Sequence, residues 1–162
     1  MCQPLAGWRA VKVTDQRKKA DFAECMRELV DIHFPDAEVI RVVLDNLNIH
    51  SPGSLYEAFP AQEARRILRK IEFHFTPKHG SWLNMAEIEL AILSRQCLKQ
   101  RLADQPMLRQ VSEHWAKQRN KQESKINWCF NVEQARTKLA HLYPWQPGDE
   151  VSSPGSGINE AN

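Results

Sequence analysis

The chain has 162 residues and a mass of 18.7 kDa, the size of a single domain. Hydrophobic residues make up 42% and charged residues 26%, which excludes a collagen-like repeat or a wholly disordered chain. The formal charge of +2 is too small to indicate nucleic acid by itself, but residues 1–60 carry a net −2, residues 61–145 a net +7 and residues 146–162 a net −3.

Met1 to Arg9 lacks the apolar core of a secretory signal, and no apolar run approaches the roughly 18 to 20 residues that span a bilayer. The cysteines at positions 2, 25, 97 and 129 form no Cys-x-x-Cys pair, so they read as free thiols in a reducing cytoplasm. Trp8 to Val13 alternates loosely, as a strand does. Thr14 or Asp15 then caps a helix whose apolar side is Phe22, Met26, Leu29 and Val30, ended by Pro35-Asp36. Val39 to Leu44 is β-branched, the composition of a buried strand, and it stops at Asp45-Asn46. Ser51-Pro52 opens a helix, with a hydroxyl at the cap and proline in the first turn. Pro60 opens another, with Ala64, Ile67 and Leu68 inward.

Ile71 to Phe75 alternates cleanly and predicts a second strand of the same sheet. Thr76 to Leu83, with Pro77 and Gly80, predicts a loop. From Asn84 a helix turns Ala86, Leu90, Leu93 and Cys97 to one face. Asp104 caps the next, with Leu108, Val111 and Trp115 inward, and Asn131 with Gln134 resembles the capping box of a last helix. Of the seventeen residues from Gln146, eight are Gly, Pro or Ser, the composition of a disordered tail over 146–162. The alternation of strands and helices predicts an α/β fold over 1–145.

Two acids hold positions suited to chemistry. Asp45 directly follows a strand, and catalytic groups of α/β sheets gather at strand carboxyl ends. Glu87 sits in the first turn of the helix opened by Asn84. Two carboxylates held together repel unless a cation lies between them, and hard oxygen ligands suit Mg²⁺ or Mn²⁺. Each acid also has a plain structural reading. Asp45 suits an Asx turn and Glu87 suits a capping box with Asn84. Glu89 competes with Glu87, but two residues along a helix is a rotation of about 200°, so only one of them can face Asp45. Glu87 lies nearer the loop and is preferred. His79 suits a phosphate or base contact, Trp82 suits the core as well as base stacking, and Arg65, Arg66, Arg69 and Lys70 suit a solvated helix end.

Asp45-Asn46-Leu47-Asn48-Ile49-His50, followed by Thr76-Pro77-Lys78-His79-Gly80-Ser81-Trp82-Leu83-Asn84-Met85-Ala86-Glu87-Ile88-Glu89, resembles the catalytic domain of mariner-superfamily transposases, in their bacterial insertion-sequence branch. The likeness runs from about Trp8 to Pro144 and takes in Trp115 and Arg119-Asn120. It implies a ribonuclease-H-like mixed sheet with flanking helices, and an acidic triad holding two Mg²⁺ or Mn²⁺ ions. It also implies cleavage and strand transfer on DNA, at element ends and target, with no membrane role and a cytoplasmic location. Asp45 matches the second acid and Glu87 the third. Asn46, His50, Lys78, His79, Ser81, Trp82 and Asn84 lie in the matching motifs, as DNA contacts or supports of the metal ligands.

The first aspartate of that family lies well before the segment resembling Gly7 to Asp15. Here only six residues precede Gly7, none acidic, and Asp15 and Asp21 open a helix. The resemblance therefore implies a carboxyl-terminal portion that lacks the first two strands, exposes an apolar sheet face and is inactive alone. A second transposase chain or an amino-terminal fragment would complete it. A non-catalytic DNA-binding or transposase-interacting remnant is the alternative.

Overall fold

The computed structural model describes residues 1–77, 84–99, 101–127, 133–134 and 137. Two units separate along the chain, Met1–Ile126 and Asn127–Asn162. Of the last helix expected from Asn131, only Glu133, Gln134 and Thr137 are described, all helical, and the tail from Gln146 lies outside the described residues. None of the described helices is long and apolar enough to cross a membrane.

The first unit opens with a short antiparallel hairpin, β1 (Cys2–Gln3) and β2 (Trp8–Arg9). Helix α1 (Lys19–Glu28) follows and widens into a π-helical turn over Leu29–His33. Strand β3 (Ile40–Leu44) then leads through α2 (Pro52–Ala58) and α3 (Ala61–Leu68) to β4 (Ile71–Phe75). Helices α4 (Ala86–Cys97) and α5 (Gln105–Lys121) complete it.

Strands β3 and β4 pair in parallel, in register from Ile40 with Ile71 to Leu44 with Phe75. Parallel pairing needs a crossover, and α2 and α3 provide it. Ile40, Val42, Leu44, Ile71 and Phe73 pack with Phe22, Met26, Leu29, Val30, Leu55 and Ile67 in one apolar core. The α1 side predicted from sequence is the buried one. Its start is not: the helix begins at Lys19, where the Asp21 carboxylate accepts the Lys18 N–H at 2.8 Å. Thr14 instead donates to the Gln16 carbonyl, and Asp15 accepts from Gln105.

The opposite face of this sheet is bare. Arg41, Val43, Glu72 and His74 are exposed there, Val43 by 56%. The β-branched composition of 39–44 suits a strand buried on both faces, but here cover comes from one side only. Most of the bare face is polar: Glu72 accepts from Arg41 Nε at 3.1 Å and from His74 Nε2 at 2.8 Å.

The segment Trp8–Val13 is a strand only at Trp8–Arg9, and it pairs with Cys2–Gln3 rather than joining β3 and β4. Trp8 packs edge-on against His33 and Phe34. Val11 joins a second core of Leu93, Cys97, Trp115 and Ala116. Helix α5 starts as expected, with Asp104 Oδ1 accepting the Met107 N–H at 2.8 Å. It ends in a Schellman motif. The Ser124 N–H donates to Arg119 O at 3.1 Å and the Glu123 N–H to Asn120 O at 3.0 Å, with Glu123 at φ +46°.

Two helix faces depart from the expected stripes. On α4 the buried residues are Glu89, Leu93 and Cys97, and Leu90 is 61% exposed. On α5 they are Ser112, Trp115 and Ala116, with Leu108 and Val111 half-buried. On α4 the polar Glu89 displaces an apolar residue because it meets Arg9 in the interior.

Candidate functional site

Asp45 leaves the carboxyl end of β3 half-buried. Its Oδ1 accepts the Leu47 N–H at 3.2 Å, so the Asx turn is real. The same oxygen accepts from His50 Nδ1 at 2.6 Å. An ionised carboxylate only accepts, so the proton of this bond sits on Nδ1. His50 is itself fixed, by its N–H donating to Leu47 O and by its ring lying 5.0 Å from that of Phe22. Asn46 Nδ2 donates to Thr76 O at 2.6 Å, and the Thr76 N–H donates to Leu44 O at 2.8 Å. These bonds stitch the ends of both strands together beneath Asp45. Its Oδ2 has no hydrogen-bond partner among the described residues.

Glu87 lies in the first turn of α4 and is exposed. The capping-box reading fails. The N-cap is Met85, without a side-chain bond; before it Asn84 Oδ1 accepts the Ala86 N–H at 3.1 Å in an Asx turn, and the Glu87 N–H donates to Asn84 O at 3.0 Å. The Glu87 carboxylate forms no hydrogen bond or ion pair among the described residues.

Glu89 is the opposite case. It is buried, and both its oxygens face Arg9: Nε to Oε2 at 3.1 Å and Nη2 to Oε1 at 3.2 Å. Arg119 Nη2 adds a contact to Oε1 at 3.5 Å. The rival acid is therefore already neutralised, while Glu87, about 200° around the helix, is not.

Arg9 itself is 2% exposed, yet every face of it is met. It donates to Gly7 O at 3.1 Å, to Ser124 O and to Asn120 Oδ1 at 3.4 Å, and it lies 5.9 Å from the Trp115 ring centroid. Arg9 was invisible as a site residue in the sequence, where a lone arginine in an alternating run suits a solvated face. The only signal lay in Trp115 and Arg119-Asn120, motif residues that had no role until the fold placed them around it.

The other predicted residues divide cleanly. Lys78, His79, Ser81 and Trp82 lie outside the described residues. His74 sits on the bare sheet face with Glu72 and Arg41. Of the basic helix end, Arg66 forks onto Asp31 and Glu63, with four contacts at 2.8 Å, and Lys70 donates to Pro35 O. Arg66 holds both carboxyls below their ordinary values through those hydrogen bonds. A cleft between α4 and α5, lined by Gln96, Val111, His114 and Gln118, includes neither Asp45 nor Glu87.

The donor chemistry of Asp45 and Glu87 fits a hard divalent cation, since each keeps a carboxylate oxygen without a partner among the described residues. No group of three or more metal-ligating side chains forms among the described residues. Residues 1–109, which include both acids, match the family model described as DDE superfamily endonuclease. No curated protein and no solved structure matches the chain.

Proposed function

Because this chain belongs to the DDE superfamily of endonucleases, we propose that it is the catalytic domain of a mariner-superfamily transposase of the bacterial insertion-sequence branch, with Asp45 and Glu87 as ligands of its divalent metal ions. The superfamily acts on DNA with divalent ions, so the partner is DNA and the reaction class is transposase-type nuclease chemistry. The finer reading adds Mg²⁺-dependent cleavage at an element end and transfer of the freed strand to a target.

One observation carries it: the two acids that match the family motif keep carboxylate oxygens without a partner among the described residues, whereas neighbouring Glu89 is sealed in an ion pair. A bound Mg²⁺ pair supplies charge stabilisation at the attacking and leaving oxygens of a phosphodiester. The chain's own groups prepare for that. His50 orients Asp45, Asn46 ties the two strand ends together, and the Asn84 turn leads into the helix that bears Glu87. Lys78, His79, Ser81 and Trp82 are assigned to DNA contacts on their motif alone.

A second reading, a DNA-binding or transposase-interacting chain without catalysis, is favoured by the lack of any three-ligand cluster among the described residues. Mn²⁺ titration followed by electron paramagnetic resonance separates the two. Asp45→Asn and Glu87→Gln should each weaken Mn²⁺ binding at least about tenfold, in the range for losing a group of a metal site. Unchanged binding in both variants, with salt-dependent DNA affinity retained, would establish the second reading.

A further inference from the structure

We propose that Arg9 is a positioning residue for Glu87, acting through Glu89; the inference rests on the reading of Glu87 as a metal ligand. A helix carries its side chains at fixed angles, so whatever fixes the rotation of α4 about its axis also fixes the direction of Glu87. Buried apolar residues do this in the far half of the helix, at Leu93 and Cys97, with Ile92 partly buried against the same core. Over Ala86–Ile92, the half that bears Glu87, Glu89 is the one buried residue. Its two oxygens are held by two different nitrogens of one planar guanidinium, at 3.1 and 3.2 Å. A forked contact of that kind specifies orientation as well as distance.

The anchor is itself immobilised. Arg9 donates to the carbonyls of Gly7 and Ser124, and its backbone N–H and C=O both bond the Asn120 carboxamide at 2.8 Å. Arg9 thus transfers the rigidity of the α5 carboxyl end to the amino end of α4. It also keeps both Glu89 oxygens occupied.

The test is a coupling measurement on the full chain. Mn²⁺ affinity is read by electron paramagnetic resonance for wild type, Arg9→Lys, Glu87→Gln and the double variant, at a temperature where circular dichroism shows each folded. Arg9→Lys keeps the charge and loses the fork. It should weaken Mn²⁺ binding about tenfold in the wild-type background, the low end of the range for groups that orient ligands, and not at all in the Glu87→Gln background. Leu93→Ala, which weakens the same helix without touching the fork, should lower the melting temperature and leave Mn²⁺ affinity unchanged. If Arg9→Lys does not fold, Glu89→Gln, which keeps the acceptor's shape and loses its charge, takes its place in the cycle. Wild-type Mn²⁺ affinity in the variant used, or an equal loss with and without Glu87, overturns the positioning role. Undiminished Mn²⁺ binding in Glu87→Gln itself removes instead the metal-site reading beneath it.

Discussion

Arg9 and Glu89 stand 80 positions apart in the chain and close a buried ion pair through two nitrogens of one guanidinium edge, at 3.1 and 3.2 Å. Removing one partner leaves the other charge uncompensated in the interior. Glu89→Ala strands Arg9 and Arg119 together, and should cost about 3–5 kcal/mol in urea unfolding followed by tryptophan fluorescence. The apolar double variant Arg9→Met/Glu89→Leu should recover only part of that. Gly7 O and Ser124 O would still have lost their guanidinium donor. A loss below about 1 kcal/mol for Glu89→Ala, the level of a surface pair, would mean that the pair is loosely held.

Gly7 is required by both its backbone and its surroundings. It sits at φ +73°, and a Cβ there would lie 2.5 Å from the carbonyl carbon of Glu123. The left-handed conformation alone costs a non-glycine residue roughly 1–2 kcal/mol. Gly7→Ala should therefore lose more than that in thermal unfolding, because backbone rather than a flexible side chain blocks the methyl. Glu123 presents the converse. It occupies the left-handed position of the α5 Schellman motif at φ +46°, so Glu123→Gly should be stabilising by about 1 kcal/mol. Destabilisation by Glu123→Gly would show that its side chain contributes more than its backbone strain removes.

In the proposed metal site, His50 acts on Asp45 through its hydrogen bond. His50→Ala removes the 2.6 Å bond to Oδ1 and leaves the Asx turn with Leu47 in place. Mn²⁺ affinity should fall by about tenfold or more, as for other groups that orient a ligating carboxylate, while DNA affinity at fixed salt stays as in wild type. Equal Mn²⁺ affinity in the variant would place the histidine in the turn alone.

The Arg66 network gives the stability curve a small acid limb. Hydrogen bonds from Arg66 hold Asp31 below its ordinary 3.8. A carboxyl depressed in the folded state contributes stability above its unfolded pKa and loses it as pH falls through the folded one. The contribution of Asp31 is thus complete at neutral pH, begins to fall near its ordinary 3.8 and is gone once pH passes below its lowered folded value. Arg66→Met should return Asp31 to its ordinary titration, seen by carbon-detected magnetic resonance. Since these side chains are exposed, the stability change should be slight and shrink further in salt.

The parts of this fold legible in sequence are those where local chemistry and tertiary environment agree. Ile71–Phe75 alternates and is a strand; Asp104 precedes a proline-containing turn and caps a helix; Phe22, Met26, Leu29 and Val30 recur at helical spacing and are buried. The disagreements share one cause. Pattern reading assigns burial to apolar residues, so Leu90 was expected on the inward face, whereas Glu89, weighed only as a rival of Glu87, is the buried one, and Trp8–Val13, expected as a strand, is one only at Trp8–Arg9. An interior salt bridge is built from residues distant in sequence, and no spacing rule pairs positions 9 and 89. Of the acids, the competition between Glu87 and Glu89 was visible from helix geometry, but its outcome depended on a partner that only folding supplies.

The Asn120 carboxamide accepts the Arg9 N–H and donates to the Arg9 carbonyl, both at 2.8 Å. That is the pair of bonds a neighbouring β-strand would make, delivered by one side chain from the end of a helix. Asn120 therefore serves as a surrogate strand one residue long. It occupies the outward main-chain groups of Arg9, so the hairpin cannot recruit another polypeptide edge-to-edge at that position.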